Sequence, residues 1–245
     1  CYMYNRLFTF GCSYTEFIWK TWADIIADDL QIPFQNWGVS GTGNIAIASN
    51  ILKCDLTHKF TKDDLIIVNW SSWHRIDLVK QNRTWHNGGN AFNNPMFPPK
   101  YLKKYWNQND DIVKNSTAII LANRNTNIDY QSHMIDYEGR TEYNETSYDF
   151  THYQYYLDNL PKKNIFDISN NSQFSNTVRD SHPDILNHLA HAQQIYKHLN
   201  LTINPNIVKK YSNMQDMIIN EINSKHQGKI QSWEKMVKLF EGLGL

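Results

Sequence analysis

The sequence predicts an α/β fold with a central parallel sheet, on two observations. Short apolar runs alternate with longer helical patterns through the first 70 residues. Alternation of this kind favours parallel strands joined by helices. The chain has 245 residues, of which 41% are hydrophobic, so it is long enough to bury a full core. We expect one α/β domain at 1–204, with insertions at about 80–114 and 123–156, followed by a C-terminal helical extension at 205–245.

The individual elements follow from hydrophobic periodicity. Strands are expected near 6–10, 34–37, 64–70, 116–122 and 165–168, and helices near 15–30, 43–58 and 183–199. The first helix has apolar residues at spacings of three and four, which indicates a face towards the core: Phe17, Ile18, Trp22, Ile25, Ile26 and Leu30. Active sites in such sheets gather at the carboxyl ends of the strands, so the loops that follow them are the places to search.

The first of these loops contains Gly11, Cys12 and Ser13, directly after the apolar run 7–10. A serine between a buried strand and a helix presents its hydroxyl beyond the sheet edge, where helix N-terminal amides steady negative charge. This position suits a nucleophile that attacks an ester carbonyl. The alternative is an ordinary turn or a helix cap, because glycine and serine are common in both.

A base for this serine is expected far downstream, in residues 180–183. A serine nucleophile needs an imidazole to take its proton, and a carboxylate commonly orients that imidazole. His182 is the candidate base and Asp180 the candidate orienting acid, while Pro183 fits the first turn of a helix. Two alternatives stay open: Asp180 or Ser181 is only a helix cap, or a backbone carbonyl orients His182.

Residues 36–44 form a glycine-rich loop between a predicted strand and a predicted helix. Its backbone amides would line an oxyanion hole, with Gly41 as a donor. A phosphate cradle is the competing interpretation. It is weak, because no Gly-Lys-Ser/Thr follows and the glycine spacing differs from the dinucleotide-binding motif.

Taken in order, these motifs resemble those of the SGNH/GDSL hydrolases over roughly residues 6–200. The resemblance implies a flavodoxin-like three-layer α/β/α sandwich and an acyl-serine mechanism without a cofactor or metal. It makes Ser13 the nucleophile, His182 the base, and the amides of Ser13 and Gly41 oxyanion donors. The family acid lies three residues before the histidine, where this chain has Arg179, whereas Asp180 lies two before it.

Two further positions depart from the family pattern. Cys12 replaces the aspartate of the first motif, and Trp73 occupies the asparagine position of the G-x-N-D motif. Loss of such an oxyanion donor typically lowers the rate about 100- to 1000-fold. Trp73, His74 and Arg75 are candidate substitutes, although Trp73 would also suit the core and Arg75 a carboxylate partner. Asn69 is a poor candidate because it falls within the strand pattern.

Composition limits the choice of partners and compartment. The formal net charge is zero, so no electrostatic footprint favours nucleic acid or an anionic membrane. No apolar run approaches the length of about 18 residues that spans a membrane. Three cysteines argue against a disulfide framework, and no secretory signal is visible. We expect a cytoplasmic protein, or a virion-associated one if the asparagine-rich composition marks a phage gene.

The substrate is expected to be a small-molecule or glycan ester. Both insertions combine aromatic and amide side chains, which suit sugar rings, so carbohydrate O-acetyl esters are preferred over lipid acyl esters. One alternative is a binding or structural protein, for instance of a virion, that keeps the fold with weakened chemistry. A nucleotide-binding protein is less favoured.

Two other features suggest weaker hypotheses. His188 and His191 lie three residues apart in a predicted helix, but no acid or cysteine completes a metal shell, so helix packing is the better account. The two helices expected after residue 205 carry apolar stripes. These stripes would either fold back on the domain or contact another chain in an oligomer or assembly.

Overall fold

The structure, a computed structural model, describes residues 4–71, 75–82, 85–90, 113, 116–117, 127–133, 174, 182–226, 229–230 and 232–244. Its strands and helices are, in chain order, β1 (Arg6–Gly11), α1 (Trp22–Leu30), β2 (Phe34–Gly38), α2 (Asn44–His58), β3 (Asp64–Trp70), β4 (Arg75–Val79), β5 (Trp85–Asn90), β6 (Asn127–His133), α3 (Ile185–His198), α4 (Pro205–His226) and α5 (Trp233–Gly242).

The central sheet has four strands in the order β2-β1-β3-β6. All three pairings are parallel, which confirms the predicted sheet type. The carboxyl ends of β1, β2 and β3 therefore share one edge, and the loops after them are neighbours. β4 and β5 pair with each other as an antiparallel hairpin outside this sheet.

Helices cover the sheet on both faces, which confirms the three-layer α/β fold. β3 is buried along its whole length, and its alternate residues contribute to two separate cores. Leu65 and Ile67 pack with residues of α1, α3, α4 and α5, whereas Ile66 and Val68 pack with residues of α2. One face thus carries four of the described helices and the other carries α2.

The first helix begins later than its apolar periodicity predicts. The Thr21 hydroxyl donates to the Thr15 carbonyl at 2.7 Å, and the Thr21 amide donates to the Asp24 carboxylate at 2.9 Å. These bonds fix the helix start at Trp22. Phe17 consequently lies in the irregular segment that joins β1 to α1, not on a helical face.

Two strand predictions were also inaccurate. Ser116 and Thr117 are helical, although residues 116–122 have the pattern of a strand. β6 lies within the range 123–156, where the polar composition predicts an irregular insertion. A parallel partner strand such as β3 supplies the hydrogen bonds for β6, so no strong local hydrophobic pattern is required. The strand expected at 165–168 lies outside the described residues.

The C-terminal helices fold back onto the domain. Ile218 and Ile222 of α4 and Met236 and Phe240 of α5 belong to the core on the α1 face of the sheet. The Tyr211 hydroxyl donates to a carboxylate oxygen of α1 at 2.7 Å. Contact of this extension with another chain stays a prediction. Among the described helices, none combines the length and the apolar character that crossing a membrane requires.

Candidate active site

Ser13 lies in a single tight turn directly after β1. The Cys12 carbonyl accepts hydrogen bonds from the amides of Thr15 at 2.9 Å and Glu16 at 3.1 Å. A Cβ atom at Gly11 would lie 2.0 Å from the Thr15 hydroxyl oxygen, so only glycine fits before this turn. Ser13 itself is 4% exposed. Local geometry thus buries the serine at the carboxyl end of a central strand.

Ser13 contacts His182, the residue that the sequence proposes as its base. The distance between Ser13 Oγ and His182 Nε2 is 2.8 Å, a hydrogen bond between residues 169 positions apart. A neutral imidazole that accepts the hydroxyl proton at Nε2 carries its own proton on Nδ1. Serine-dependent acyl transfer requires a serine hydroxyl and an imidazole within such a hydrogen-bond distance.

Two aromatic side chains contact the His182 ring. The Phe17 ring stacks on it with centroids 4.1 Å apart and an interplanar angle of 21°. Tyr14 meets it edge-on, with centroids 5.5 Å apart. The buried Trp19 indole donates to the Pro183 carbonyl at 3.0 Å, which fixes the backbone next to His182. These contacts restrict the rotation of the imidazole.

The start of α3, just after His182, is also well anchored. Asp184 accepts the Asn187 amide at 2.9 Å, and the Asn187 side chain accepts the Asp184 amide at 3.1 Å, a reciprocal cap. The fully buried Gln215 of α4 accepts the Ile185 amide at 3.2 Å. The C-terminal extension therefore contacts the segment that carries the candidate base.

The loop after β2 is fastened to the nucleophile turn. The Val39 amide donates to the Gly11 carbonyl at 3.0 Å. The Asn36 amide nitrogen donates to the Thr15 carbonyl at 2.9 Å, and the oxygen of the same side chain accepts the Gly38 amide at 2.9 Å. Gly41 lies at the outer turn of this loop with φ of 83°, a conformation that favours glycine.

The far end of the same loop is held by Asp77 of β4. Its carboxylate accepts the amides of Gly43 at 2.7 Å and Ala46 at 2.9 Å, and so caps α2, whose own N-cap residue has no side chain. Burial raises the pKa of Asp77 in spite of these amide hydrogen bonds. Because Asp77 occupies amides that a phosphate would need, this loop is a poor nucleotide cradle.

Asn44 connects the loops after β2 and β3. Its side chain donates to the Ser71 carbonyl at 2.9 Å and accepts the Ser71 amide at 2.8 Å. The three loops that follow β1, β2 and β3 are thus joined by hydrogen bonds into one edge of the sheet. Short interlocked loops of this kind give a site the rigidity that catalysis requires.

The remaining predicted site residues are placed as follows. Asp180, Trp73 and His74 lie outside the described residues. Arg75 opens β4, is half-buried, and lies near enough to the Asp77 carboxylate to lower its pKa, against the effect of burial. Asn69 is fully buried in β3, and no described residue hydrogen-bonds to its side-chain amide.

The two helix histidines are buried in the core. Burial lowers the pKa of His188 well below its ordinary value and that of His191 to about 3, so both imidazoles are neutral at physiological pH. The His191 ring meets the Trp22 indole edge-on, with centroids 5.8 Å apart. Within the described parts of the chain, no group of three or more metal-ligating side chains is present.

Sequence reasoning missed Phe17, Gln215 and Asp77 as parts of the site. The periodicity places Phe17 on a helix face, and a glutamine on a polar helix has no distinguishing pattern. Asp77 had one indirect indication. A helix that begins after Gly43 has no side-chain cap of its own, which suggests a cap from elsewhere in the chain.

Comparisons with known proteins find only distant structural likenesses. No family model and no curated protein matches the chain. Among solved structures, one similar chain is described as a lipolytic protein of the G-D-S-L family from Desulfitobacterium hafniense DCB-2, at 12% identity and a TM-score of 0.36 over 67% of this chain and 77% of that one. Another is described as a platelet activating factor from Streptococcus pneumonia, at 14% identity and a TM-score of 0.37 over 81% of this chain and 83% of that one. Likenesses this low support no inference about function, which must come from the site itself.

Proposed function

We propose that this protein is a serine ester hydrolase that forms an acyl-enzyme on Ser13. The observation that carries the proposal is the 2.8 Å hydrogen bond between Ser13 Oγ and His182 Nε2 at the carboxyl end of the parallel sheet. Serine alone is a weak nucleophile at neutral pH, and an adjacent imidazole is the standard way to activate it.

Acylation would begin when His182 takes the proton of the Ser13 hydroxyl as Oγ bonds to the ester carbonyl carbon. The carbonyl oxygen becomes an oxyanion. His182 then gives that proton to the alcohol oxygen, the carbon–oxygen bond breaks, and the alcohol leaves. Water, activated by the same imidazole, later attacks the acyl-serine and releases the acid.

We assign the oxyanion to the backbone amides of Ser13 and Gly41. The support is the bracing of their two loops, through Asn36 and through the Val39 to Gly11 hydrogen bond. Preorganised donors stabilise the developing charge without reorganising during the reaction. Arg75 is the candidate for a further donor among the described residues, since it follows β3 on the same side of the molecule. Asp180 stays the candidate for orienting His182.

The proposed substrates are O-acetyl esters of carbohydrates, with lipid acyl esters less favoured. Aromatic and amide side chains in the sequence ranges 80–114 and 123–156 support this choice, since stacking faces beside hydrogen-bonding groups suit sugars. A cavity beside the nucleophile turn adds support, because charged and amide side chains line it together with aromatic ones. A purely hydrocarbon group bound in this cavity would leave those polar groups without partners.

Labelling with a fluorophosphonate, combined with hydrolysis of p-nitrophenyl acetate, tests the reaction class. Ser13→Ala should abolish labelling and lower kcat/KM by roughly 10⁴- to 10⁶-fold, and His182→Ala should come close to that loss. Ser224→Ala and His226→Ala are matched controls, because both residues lie in the last turn of α4, where Ser224 is exposed and His226 is half-buried. Folded variants are confirmed by circular dichroism.

A folded wild-type protein that neither reacts with fluorophosphonate nor hydrolyses any acetyl ester would reject the hydrolase. Labelling that survives in Ser13→Ala would reject Ser13 as the nucleophile. The first outcome would favour a binding protein that keeps the fold, and screening of sugar ligands would then replace the kinetic assays.

A further inference from the structure

Of the aromatic rings around His182, those towards α5 are the more accessible ones. Tyr14, on one side of the imidazole, is 4% exposed and cannot present a surface to a ligand. Phe17, stacked on His182, is half-buried. Trp233, the first residue of α5, meets the Phe17 ring edge-on with centroids 5.8 Å apart and is 53% exposed. The rings of His182, Phe17 and Trp233 thus form a continuous path from the site to solvent.

The chemistry of the proposed reaction decides which part of an ester lies next to this path. His182 must donate a proton to the oxygen of the departing alcohol, so that oxygen has to come within hydrogen-bond distance of Nε2. The acyl part instead lies at Ser13 and the oxyanion donors. Groups that flank the imidazole therefore border the alcohol part of the substrate.

A cavity of about 460 Å³ lies beyond Phe17, between residues 16–20 and α5. Its size falls within the range of small-molecule sites. Val237 and Glu241 line it from α5, and they follow Trp233 at intervals of four residues, on the same helix face. A group bound over Trp233 can therefore continue along α5 into the cavity.

The cavity lining indicates a polar occupant. Its lining includes the acidic residues Glu16, Asp24 and Glu241, the basic residue Lys20 and several aromatic residues. Burial and the nearby Asp24 carboxylate raise the pKa of Glu16. Hydroxyl groups of a ligand would donate to carboxylates such as that of Glu241, whereas a hydrocarbon would only remove water from them. The lining thus combines hydrogen-bond acceptors with apolar faces.

We propose that Trp233 and Phe17 bind the alcohol part of the ester, and that the cavity between residues 16–20 and α5 receives its hydroxyl-bearing end. The assignment rests on the proposed hydrolase function and names its leaving-group site. Trp233 is well suited to this role, since its indole N–H makes no hydrogen bond within the described chain and its ring is open to solvent. Specificity for the alcohol then resides in the C-terminal extension.

The test compares Trp233→Ala with Leu56→Ala, which also removes an exposed apolar side chain, 59% exposed, but from α2. Both variants are assayed with ethyl acetate, benzyl acetate and 6-O-acetylglucose, which share an acetyl group and differ in the alcohol. Trp233→Ala should lower kcat/KM by about tenfold for the two larger alcohols and leave ethyl acetate nearly unchanged. Leu56→Ala should change none of the three.

Acyl-chain dependence and deacylation give the second readout. The ratio of ethyl acetate to ethyl butyrate hydrolysis should be the same in wild type and Trp233→Ala. Since the alcohol has already left the acetyl-enzyme, the rate of deacylation should be the same in wild type and Trp233→Ala. Trp233→Phe should restore most of the loss with benzyl acetate, because it restores a ring. Glu241→Gln, at an exposed position, should lower kcat/KM only for 6-O-acetylglucose.

Three results would overturn the assignment: an equal loss with ethyl and benzyl acetate, a change confined to the acyl series, or wild-type hydrolysis of benzyl acetate without any of 6-O-acetylglucose. The last result would refute the claim that the cavity receives a hydroxyl-bearing end of the alcohol. Failure of the hydrolase proposal is separate, because it would appear as a wild-type protein inactive on every ester and unlabelled by fluorophosphonate.

Discussion

The cap that Asp77 provides to α2 predicts a large and specific loss of stability in Asp77→Ala. The substitution removes two charge-assisted hydrogen bonds, of 2.7 Å from the Gly43 amide and 2.9 Å from the Ala46 amide. Hydrogen bonds to charged groups contribute about 1.5–3 kcal/mol each, and a lost N-cap costs about 0.5–2 kcal/mol. The two bonds share one carboxylate and are not additive, so we expect a loss of about 2–4 kcal/mol in the free energy of unfolding.

For a chain of this length, each kcal/mol lowers Tm by about 2–4 °C, so Asp77→Ala should melt roughly 4–16 °C below wild type. Asp77→Asn keeps one oxygen acceptor and should lose about half as much. The assay is urea unfolding followed by circular dichroism, with the slope m unchanged. Asp216→Ala is the control, because Asp216 is exposed on α4.

The contribution of Asp77 to stability depends on pH with a defined sign. Burial raises the pKa of Asp77 in the folded protein above its ordinary value of 3.8. The folded state therefore holds this proton more tightly than the unfolded state, and the contribution of Asp77 to stability falls as pH rises from 3.8 through the folded pKa. The difference in free energy between wild type and Asp77→Asn should shrink over that window.

An Asp77→Ala midpoint that shifts no more than that of Asp216→Ala would refute the capping role of Asp77. A stability difference between wild type and Asp77→Asn that grows with pH above 3.8 would refute its raised pKa. Hydrolysis provides a further readout. The loop that carries Gly41 ends at Gly43, which Asp77 holds, so kcat should fall in Asp77→Ala even at temperatures where the variant is fully folded.

Three other substitutions or modifications have expected outcomes. Gly11→Ala forces a Cβ to within 2.0 Å of the Thr15 hydroxyl oxygen. It should lower the free energy of unfolding in urea by about 3 kcal/mol and abolish fluorophosphonate labelling. Normal labelling would contradict the turn geometry. Burial alone would raise the pKa of Asp64, yet hydrogen bonds from Arg6 at 2.6 and 2.7 Å hold it below its ordinary value. The stability from the Arg6–Asp64 pair is therefore present at neutral pH and lost as pH falls through the lowered pKa. Arg6→Met should remove that acid dependence and lower the free energy of unfolding by about 2 kcal/mol. Unfolding measured from pH 2 to 7 tests both effects. Burial raises the pKa of Cys54 to about 12. Iodoacetamide at pH 8 should therefore modify this thiol only in the unfolded chain, as measured by mass spectrometry. Rapid modification of the native protein would contradict this prediction.

The strands and helices predicted best from the sequence have their information in local pattern. β1, β3 and α2 begin and end within one residue of their predicted limits, because each is an apolar or amphipathic run between turn residues. Ser13 and His182 were selected on equally local grounds: a glycine before the serine and a proline after the histidine. Their side chains lie 2.8 Å apart, and their catalytic roles stay a prediction.

What the sequence missed depends on contacts between distant parts of the chain. α1 begins at Trp22 because the Thr21 hydroxyl bonds to the Thr15 carbonyl, and the periodicity of the apolar residues contains no trace of that bond. β6 was not predicted, since its strand conformation depends on pairing with β3. Asp77 caps a helix that begins 33 positions earlier in the chain, and its own neighbours do not indicate such a role.

The distinction between local pattern and distant contacts also applies to the geometry of the candidate site. Acyl transfer requires the base to lie within about 0.5 Å of its productive position, and a motif specifies which residue is the base but not what holds it there. In this chain the holding is done by core packing: Phe17 stacks on His182, Trp19 fastens Pro183, and Gln215 fastens Ile185. Gln215 belongs to α4, and the Trp19 ring packs against Phe240 of α5 with centroids 5.3 Å apart. The helices beyond residue 204 are therefore part of the support for the candidate base, although no motif in them points to catalysis.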